Sequence, residues 1–309
     1  MSGIKIGIGF GLSRLGMPDP GTIVTYAERA EDLGIDSIWL SDHIVGREPS
    51  LDIACVMALF AARTRRIKMG PSVLTLPARD PVQVAKTYAT LDYLTGSSGR
   101  IIMAVGLGRD PRQCLAAGIP PAERAGRLEE GVAVMRRVWT EDSVTHEGRY
   151  YRFKDVTITP RPARGALDVW IGGNTDAALR RVARYGDGWF PSFVTPDEFR
   201  TGLARLAAYG AEHGRTIDPR EAGVVILTHV TDDRSRAQAM AQALAARFPN
   251  APEAFLGRVA IGSVSECVER VRAFVEAGCT KFVLFPLAAP EDLVPQIETY
   301  GRDVLPHFA

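Results

Sequence analysis

The sequence is poor in the residues that build metal and disulfide sites. Its four cysteines, Cys55, Cys114, Cys267 and Cys279, are widely spaced and form no C-x-x-C pair. That spacing argues against a zinc site and against a disulfide framework, and favours reduced thiols packed as small hydrophobes in a cytoplasmic protein. An excess of one charge is also missing. The formal net charge is +1, so nothing draws the chain to nucleic acid or to an anionic membrane. No apolar run approaches the roughly 20 residues of a membrane helix. The N-terminal stretch Ile4-Lys5-Ile6-Gly7-Ile8 has neither the basic head nor the apolar length of a signal peptide. No Walker loop, G-x-S-x-G elbow or H-E-x-x-H is present, and neither Gly7–Leu12 nor Gly106–Pro111 completes G-x-G-x-x-G. No linker, repeat or low-complexity tract divides the chain.

What is present is an ordinary globular composition, 46% hydrophobic and 24% charged over 309 residues, long enough for one large α/β domain spanning 1–309. Apolar strand patterns fall at Ile4–Phe10, Ser37–Ser41, Ile67–Leu76, Arg100–Gly106, Val169–Gly172, Gly188–Pro191, Gly223–Val230 and Lys281–Phe285. Helical periodicity separates them, at Pro20–Leu33, Leu51–Arg63, Pro81–Leu94, Pro121–Trp139, Ala177–Tyr185, Pro196–His213, Ser235–Arg247, Ser265–Ala277 and Leu293–Leu305. Strands alternating with helices eight times predict a (β/α)₈ TIM barrel. Val144–Pro160 alternates with a two-residue period around Glu147-Gly148, which predicts a small hairpin inserted before the fifth strand.

In such barrels reactions take place at the C-terminal ends of the strands. There this chain presents Ser41-Asp42-His43 after its second strand and Ser72-Val73-Leu74-Thr75 within its third. Its fourth strand ends in Gly106-Leu107-Gly108, its fifth in Gly172-Gly173-Asn174 and its seventh in Thr228-His229. Asp42 and His43 meet no second histidine at ligand spacing, which disfavours a metal hydrolase. Glycines at the first, fourth and fifth strand ends let a flat ligand approach the backbone. Gly172-Gly173-Asn174-Thr175 leads straight into a helix. Its N–H groups form an anion site, or else the stretch is a turn with Asn174 or Thr175 as N-cap; both readings stay open. Trp39, Trp170 and Trp189 are expected in the core, and His229 as a satisfied polar contact.

Five stretches together carry a resemblance: "AERAEDLGIDSIWLSDH" (27–43), "RIKMGPSVLTLPARDPVQVAKTYATLDYLTG" (66–96), "RIIMAVGLG" (100–108), "EGRYYRF" (147–153) and "IGGNTDAALRRVARYGDGWFP" (171–191). The chain resembles the bacterial luciferase-like monooxygenase superfamily, and within it the oxidoreductase branch that uses the deazaflavin coenzyme F420. Members that use flavin mononucleotide (FMN) often carry Glu-His-His where this chain has Ser41-Asp42-His43. The strand-four loop Gly108–Gln113 lacks the glutamate that many relatives carry, so no catalytic acid transfers there.

The resemblance implies a homodimer of (β/α)₈ barrels acting on a small-molecule substrate, with the cofactor ring across the strand ends. It places Asp42 and His43 at the reactive ring and Ser72-Val73 behind it, with a cis peptide between those two residues. Gly106 and Gly108 line the cofactor, and Thr75, Arg79 and Asn174 supply polar contacts. Gly172, Gly173, Gly186, Asp187 and Gly188 surround the phosphate. His43 either moves the proton that accompanies hydride, with Asp42 fixing its tautomer, or only hydrogen-bonds the ring. Valine at position 173 is expected to block the phosphate without unfolding the protein. The alternative function is an FMN-dependent monooxygenase working with reduced flavin and oxygen. The loops that select the substrate, 12–17 and 287–289 among them, are apolar and do not name it.

Overall fold

A computed structural model describes residues 3–11, 16–46, 48–246 and 255–308; the loop residues 12–15 and the end of the 235–247 helix lie outside the described residues. The chain runs β1 (Lys5–Phe10), α1 (Pro20–Asp32), β2 (Ser37–Leu40), α2 (Ile53–Arg63), β3 (Lys68–Pro71), β4 (Leu74–Thr75), α3 (Pro81–Leu94) and β5 (Met103–Gly106). It continues through α4 (Arg112–Ala116), α5 (Arg124–Thr140), β6 (Val144–Glu147), β7 (Arg152–Val156), β8 (Val169–Gly172), α6 (Asp176–Tyr185) and β9 (Gly188–Phe190). Then come α7 (Pro196–Glu212), β10 (Gly223–Val230), α8 (Arg234–Ala245), β11 (Val259–Gly262), α9 (Val264–Glu276), β12 (Lys281–Pro286) and α10 (Leu293–Thr299).

Local chemistry marks the helix starts. Asp19, Asp52, Asp80 and Asp233 each cap a helix by accepting two backbone N–H groups. Thr195 with Glu198 and Ser263 with Glu266 form capping boxes on α7 and α9. Proline opens α1, α3 and α7, where its missing N–H costs nothing.

The strands form two parallel sheets, in the orders β11-β10-β12-β1-β2-β3 and β4-β5-β8-β9, as strands joined through helices require. Single bridges join the sheet edges, Met69 to Ile101 on one side, and Trp189 to Ala222 and Ser192 to Val225 on the other. β6 and β7 pair antiparallel between α5 and β8. Trp39, Ala104, Trp170, Phe190 and Val283 come from five different strands and pack into one cluster. Inward side chains of five strands meet only where the sheets curve around them. The Trp39 and Phe190 rings lie 4.5 Å apart. Trp39, Trp170 and Trp189 are all core residues.

Three elements depart from the sequence expectation. The third strand is two short strands, interrupted at Ser72–Val73. β11 is a ninth parallel strand, a four-residue apolar run too short to carry a period. α4 is an extra turn of helix ahead of α5. The four cysteines are free thiols; Cys55 is exposed and the others are buried. Burial pushes the Cys267 and Cys279 thiols up to about 12.

Candidate active site

β2 ends at Leu40, and the chain turns out of the sheet through Ser41, Asp42 and His43. Asp42 does not turn toward its neighbour. Its side chain is 2% exposed and is held by a two-pronged ion pair, Arg79 Nη1 to Oδ2 and Nη2 to Oδ1, each 2.8 Å. The Thr75 N–H also donates to Oδ2, at 2.8 Å. With its oxygens committed to Arg79 and Thr75, Asp42 makes no hydrogen bond to His43. The expectation that Asp42 fixes the imidazole tautomer is therefore corrected. Asp42 instead ties the end of β2 to the turn after β4. Arg79, a cofactor contact by the resemblance, instead pairs with Asp42, a partner 37 residues away that no local pattern marks.

His43 itself is exposed, and its imidazole has no hydrogen-bond partner among the described residues. Its carbonyl accepts from Ser50 Oγ at 3.3 Å. Asp110 lies within electrostatic reach of His43; its carboxyl is held below the usual range by hydrogen bonds from Arg112, with a smaller contribution from His43.

The Ser72–Val73 peptide is cis. The Ser72 N–H donates to Leu40 O at 2.6 Å, which holds the interruption against the end of β2. The nearby glycines answer to this segment. A Cβ on Gly106 would lie 2.5 Å from Val73 Cγ2, and one on Gly172 would lie 3.0 Å from Val73 Cγ1. A Cβ on Gly108 would meet Thr75 Cγ2 at 2.7 Å, and one on Gly9 would overlap the Phe285 ring. The space these glycines leave is filled by neighbouring side chains. Their absent Cβ atoms seat Val73, Thr75 and Phe285, so the reading that they clear a path for a flat ligand is corrected.

At the end of β8, Thr175 Oγ1 accepts from the Ala178 N–H at 3.2 Å. The N–H groups of Asn174 through Ala177 have no acceptor among the described residues, and all four residues are exposed. That end of β8 can receive an anion. The Asp176 carboxylate sits in the same first turn, paired with Arg180 at 3.3 Å. Gly186, Asp187 and Gly188 lie elsewhere. Asp187 Oδ2 accepts from the Val169 N–H at 2.9 Å, and Gly188 is level with Trp170, whereas Gly172 is level with Phe190. Parallel strands start together and end together, so residues that open β9 sit beside the start of β8, at the opposite end from Gly172-Gly173. The placement of Gly186, Asp187 and Gly188 around the phosphate, which the resemblance implies, is corrected by this register. Asp187 is bound there by Arg136, Nη2 to Oδ2 at 2.6 Å.

Gly173 has φ +117°, and a Cβ on it would approach Ala178 Cβ to 2.8 Å. Its carbonyl accepts from Trp189 Nε1 at 2.7 Å. Gly173→Val is therefore expected to destabilise the fold by about 1–3 kcal/mol, read as a lowered melting temperature. An unchanged melting curve would mean that this turn relaxes freely.

His229 is buried, and its Nδ1–H donates to Leu287 O at 2.8 Å, as a satisfied contact should. Burial pushes its pKa below the ordinary 6.5, against the Leu287 bond that raises it. The fold keeps this ring neutral while the unfolded chain protonates it. Stability is thus full above pH 6.5 and declines as pH falls from there through the lowered folded value. His229→Gln should lose less of its urea midpoint than the wild type between about pH 7 and pH 5.5. Equal losses would place the acid sensitivity elsewhere.

At the other end of the strands a cavity of about 540 Å³ is rimmed by Lys5, Asp36, Asp168 and Lys281, with Trp39 and Trp170 among its walls. None of Ser41, Asp42, His43, Ser72, Val73 and Thr75 lines it. No group of three or more potential metal ligands is found among the described residues. Nor is any helix among them long and apolar enough to cross a membrane.

Parallel strands joined through helices, with Asp42, His43 and Ser72 gathered at the end of β2, give the frame in which the family match is read. Residues 2–257 match the luciferase-like monooxygenase family, and the chain belongs to that family. It is similar to the F420-dependent glucose-6-phosphate dehydrogenase of Intrasporangium calvum, 39% identical over 180 residues, which are 55% of this chain and 53% of that protein. The match thus spans about half the length of that relative. It is also similar to the protein of the same name from Nakamurella multipartita, 30% identical over 94% of this chain and 93% of that one. Among solved structures, an F420-dependent secondary alcohol dehydrogenase in complex with an F420-acetone adduct has the same fold, with a TM-score of 0.84 at 19% identity over 99% of each chain.

Proposed function

We propose that this protein is an F420-dependent oxidoreductase that exchanges hydride with a small organic substrate. The observation that carries the reading is the pairing of two features at one end of the sheet. One is an exposed imidazole, His43, with no hydrogen-bond partner among the described residues; the other is the Ser72–Val73 segment, held to the same strand end by the Ser72 N–H on Leu40 O. The family and the relatives named for F420 point the same way. In this reading the two sheets close into one eight-stranded (β/α)₈ barrel domain, and the chain works as a homodimer.

Bound F420 supplies hydride transfer, and the protein supplies orientation and proton handling. His43 holds or accepts a proton at its imidazole. Asp42 and Arg79 are positioning residues that fix the backbone leading into His43. Ser72, Val73 and Thr75 form the wall behind the ring, with Gly106, Gly108 and Gly172 seating that wall. Gly173, Asn174 and the N–H groups opening α6 receive the phosphate.

The expected result is tighter binding of oxidised F420 than of FMN in parallel fluorescence titrations. Equal or reversed affinities would favour the FMN monooxygenase. Glucose 6-phosphate and a secondary alcohol are trial hydride donors, the two substrates named for similar proteins.

A further inference from the structure

The segment that carries His43 is gripped from a second side. Gln113, on α4, is 2% exposed. Its Oε1 accepts from the Ile44 N–H at 2.7 Å and from the Val45 N–H at 3.1 Å. Its Nε2 donates to Val45 O at 2.6 Å. One buried amide therefore takes up three backbone groups of the two residues that follow His43. The residue before His43, Asp42, is fixed by Arg79 and Thr75. The chain is thus clamped on both sides of a residue whose own side chain makes no hydrogen bond among the described residues. By satisfying three backbone groups at once, the buried carboxamide fixes the path of the chain just after His43 from the connection that leaves β5. A side chain that must be presented at one place to a ligand requires its flanks to be fixed.

The two clamps differ in what they connect. Asp42 and Arg79 tie β2 to the neighbouring turn after β4. Gln113 ties the His43 segment to the connection that leaves β5, where Asp110 is held by Arg112. Nothing in the local sequence of Gln113 marks it. It sits in a five-residue helix after a proline turn, an ordinary surface setting, yet it is buried by the segment it holds.

We propose that Gln113 is the positioning residue that sets the His43 imidazole against the bound F420 ring; the assignment rests on the F420 reading above. The probe is F420 itself, with the histidine imidazole signals followed by NMR and His43 assigned by its loss in His43→Ala. In the wild type, saturating F420 is expected to shift the His43 signals. In Gln113→Leu, F420 affinity by fluorescence should stay within about threefold, while the F420-induced His43 shift falls to half or less. Gln113→Glu keeps the two acceptor bonds to Ile44 and Val45 but sets an oxygen against Val45 O, so it should restore part of that shift; it also carries the test if the leucine variant does not fold. A full His43 shift in Gln113→Leu overturns the assignment. So does loss of F420 binding in step with a collapsed melting curve in both variants, which makes Gln113 a structural residue. Failure of the wild type to bind F420 instead removes the F420 reading, a result visible before any Gln113 variant is made.

Discussion

Arg79→Met is expected to lower the stability of the protein by about 3–5 kcal/mol, because it leaves the Asp42 carboxylate buried without its counter-ion. Asp42 is 2% exposed at its side chain and Arg79 20%, so water cannot readily replace the guanidinium. The pair is bidentate at 2.8 Å on both arms, and Arg79 Nη1 also donates to Thr75 O at 3.2 Å. What is lost is not the net worth of the pair, which desolvation largely offsets, but the compensation of a charge that stays behind. The double variant Asp42→Asn, Arg79→Met removes that charge too and should recover a substantial part of the loss. Urea midpoints of the wild type, both single variants and the double variant measure the coupling. Strict additivity of the two single effects would show that the ion pair does not organise this end of β2. The same variants test positioning: the double variant, though more stable than Arg79→Met, should still bind F420 less tightly than the wild type.

The second large effect falls on catalysis. His43→Ala is expected to lower turnover at least about tenfold, equivalent to roughly 1.4 kcal/mol of barrier. The readout is reduction of F420 by whichever trial donor the wild type oxidises. Stability should barely change, since the imidazole is exposed and makes no hydrogen bond among the described residues. F420 affinity should change less than turnover does, because the wall behind the ring and the N–H groups opening α6 remain. If binding collapses while bound enzyme turns over normally, His43 is a cofactor ligand and not a proton carrier. The two experiments separate cleanly: Arg79 is read by unfolding and His43 by rate.

The sequence alone determined the alternation of strands and helices, the burial of Trp39, Trp170 and Trp189, and the strand end at which His43 emerges. Each is a local property. Periodicity records which side chains are buried. Only the tertiary structure decided which groups meet. Asp42 finds Arg79 across 37 residues, and Gln113 reaches Ile44 across 69. Val73 fills the space left open by Gly106 and Gly172, from two other strands. Gly186, Asp187 and Gly188, close to Gly173 in sequence, end up at the far end of the sheet because α6 returns the chain to the start of the next parallel strand. Sequence spacing measures distance along the chain. In a parallel sheet, every helix carries the chain back the length of a strand, so neighbours in sequence can lie at opposite ends, and partners in space must be read from the fold.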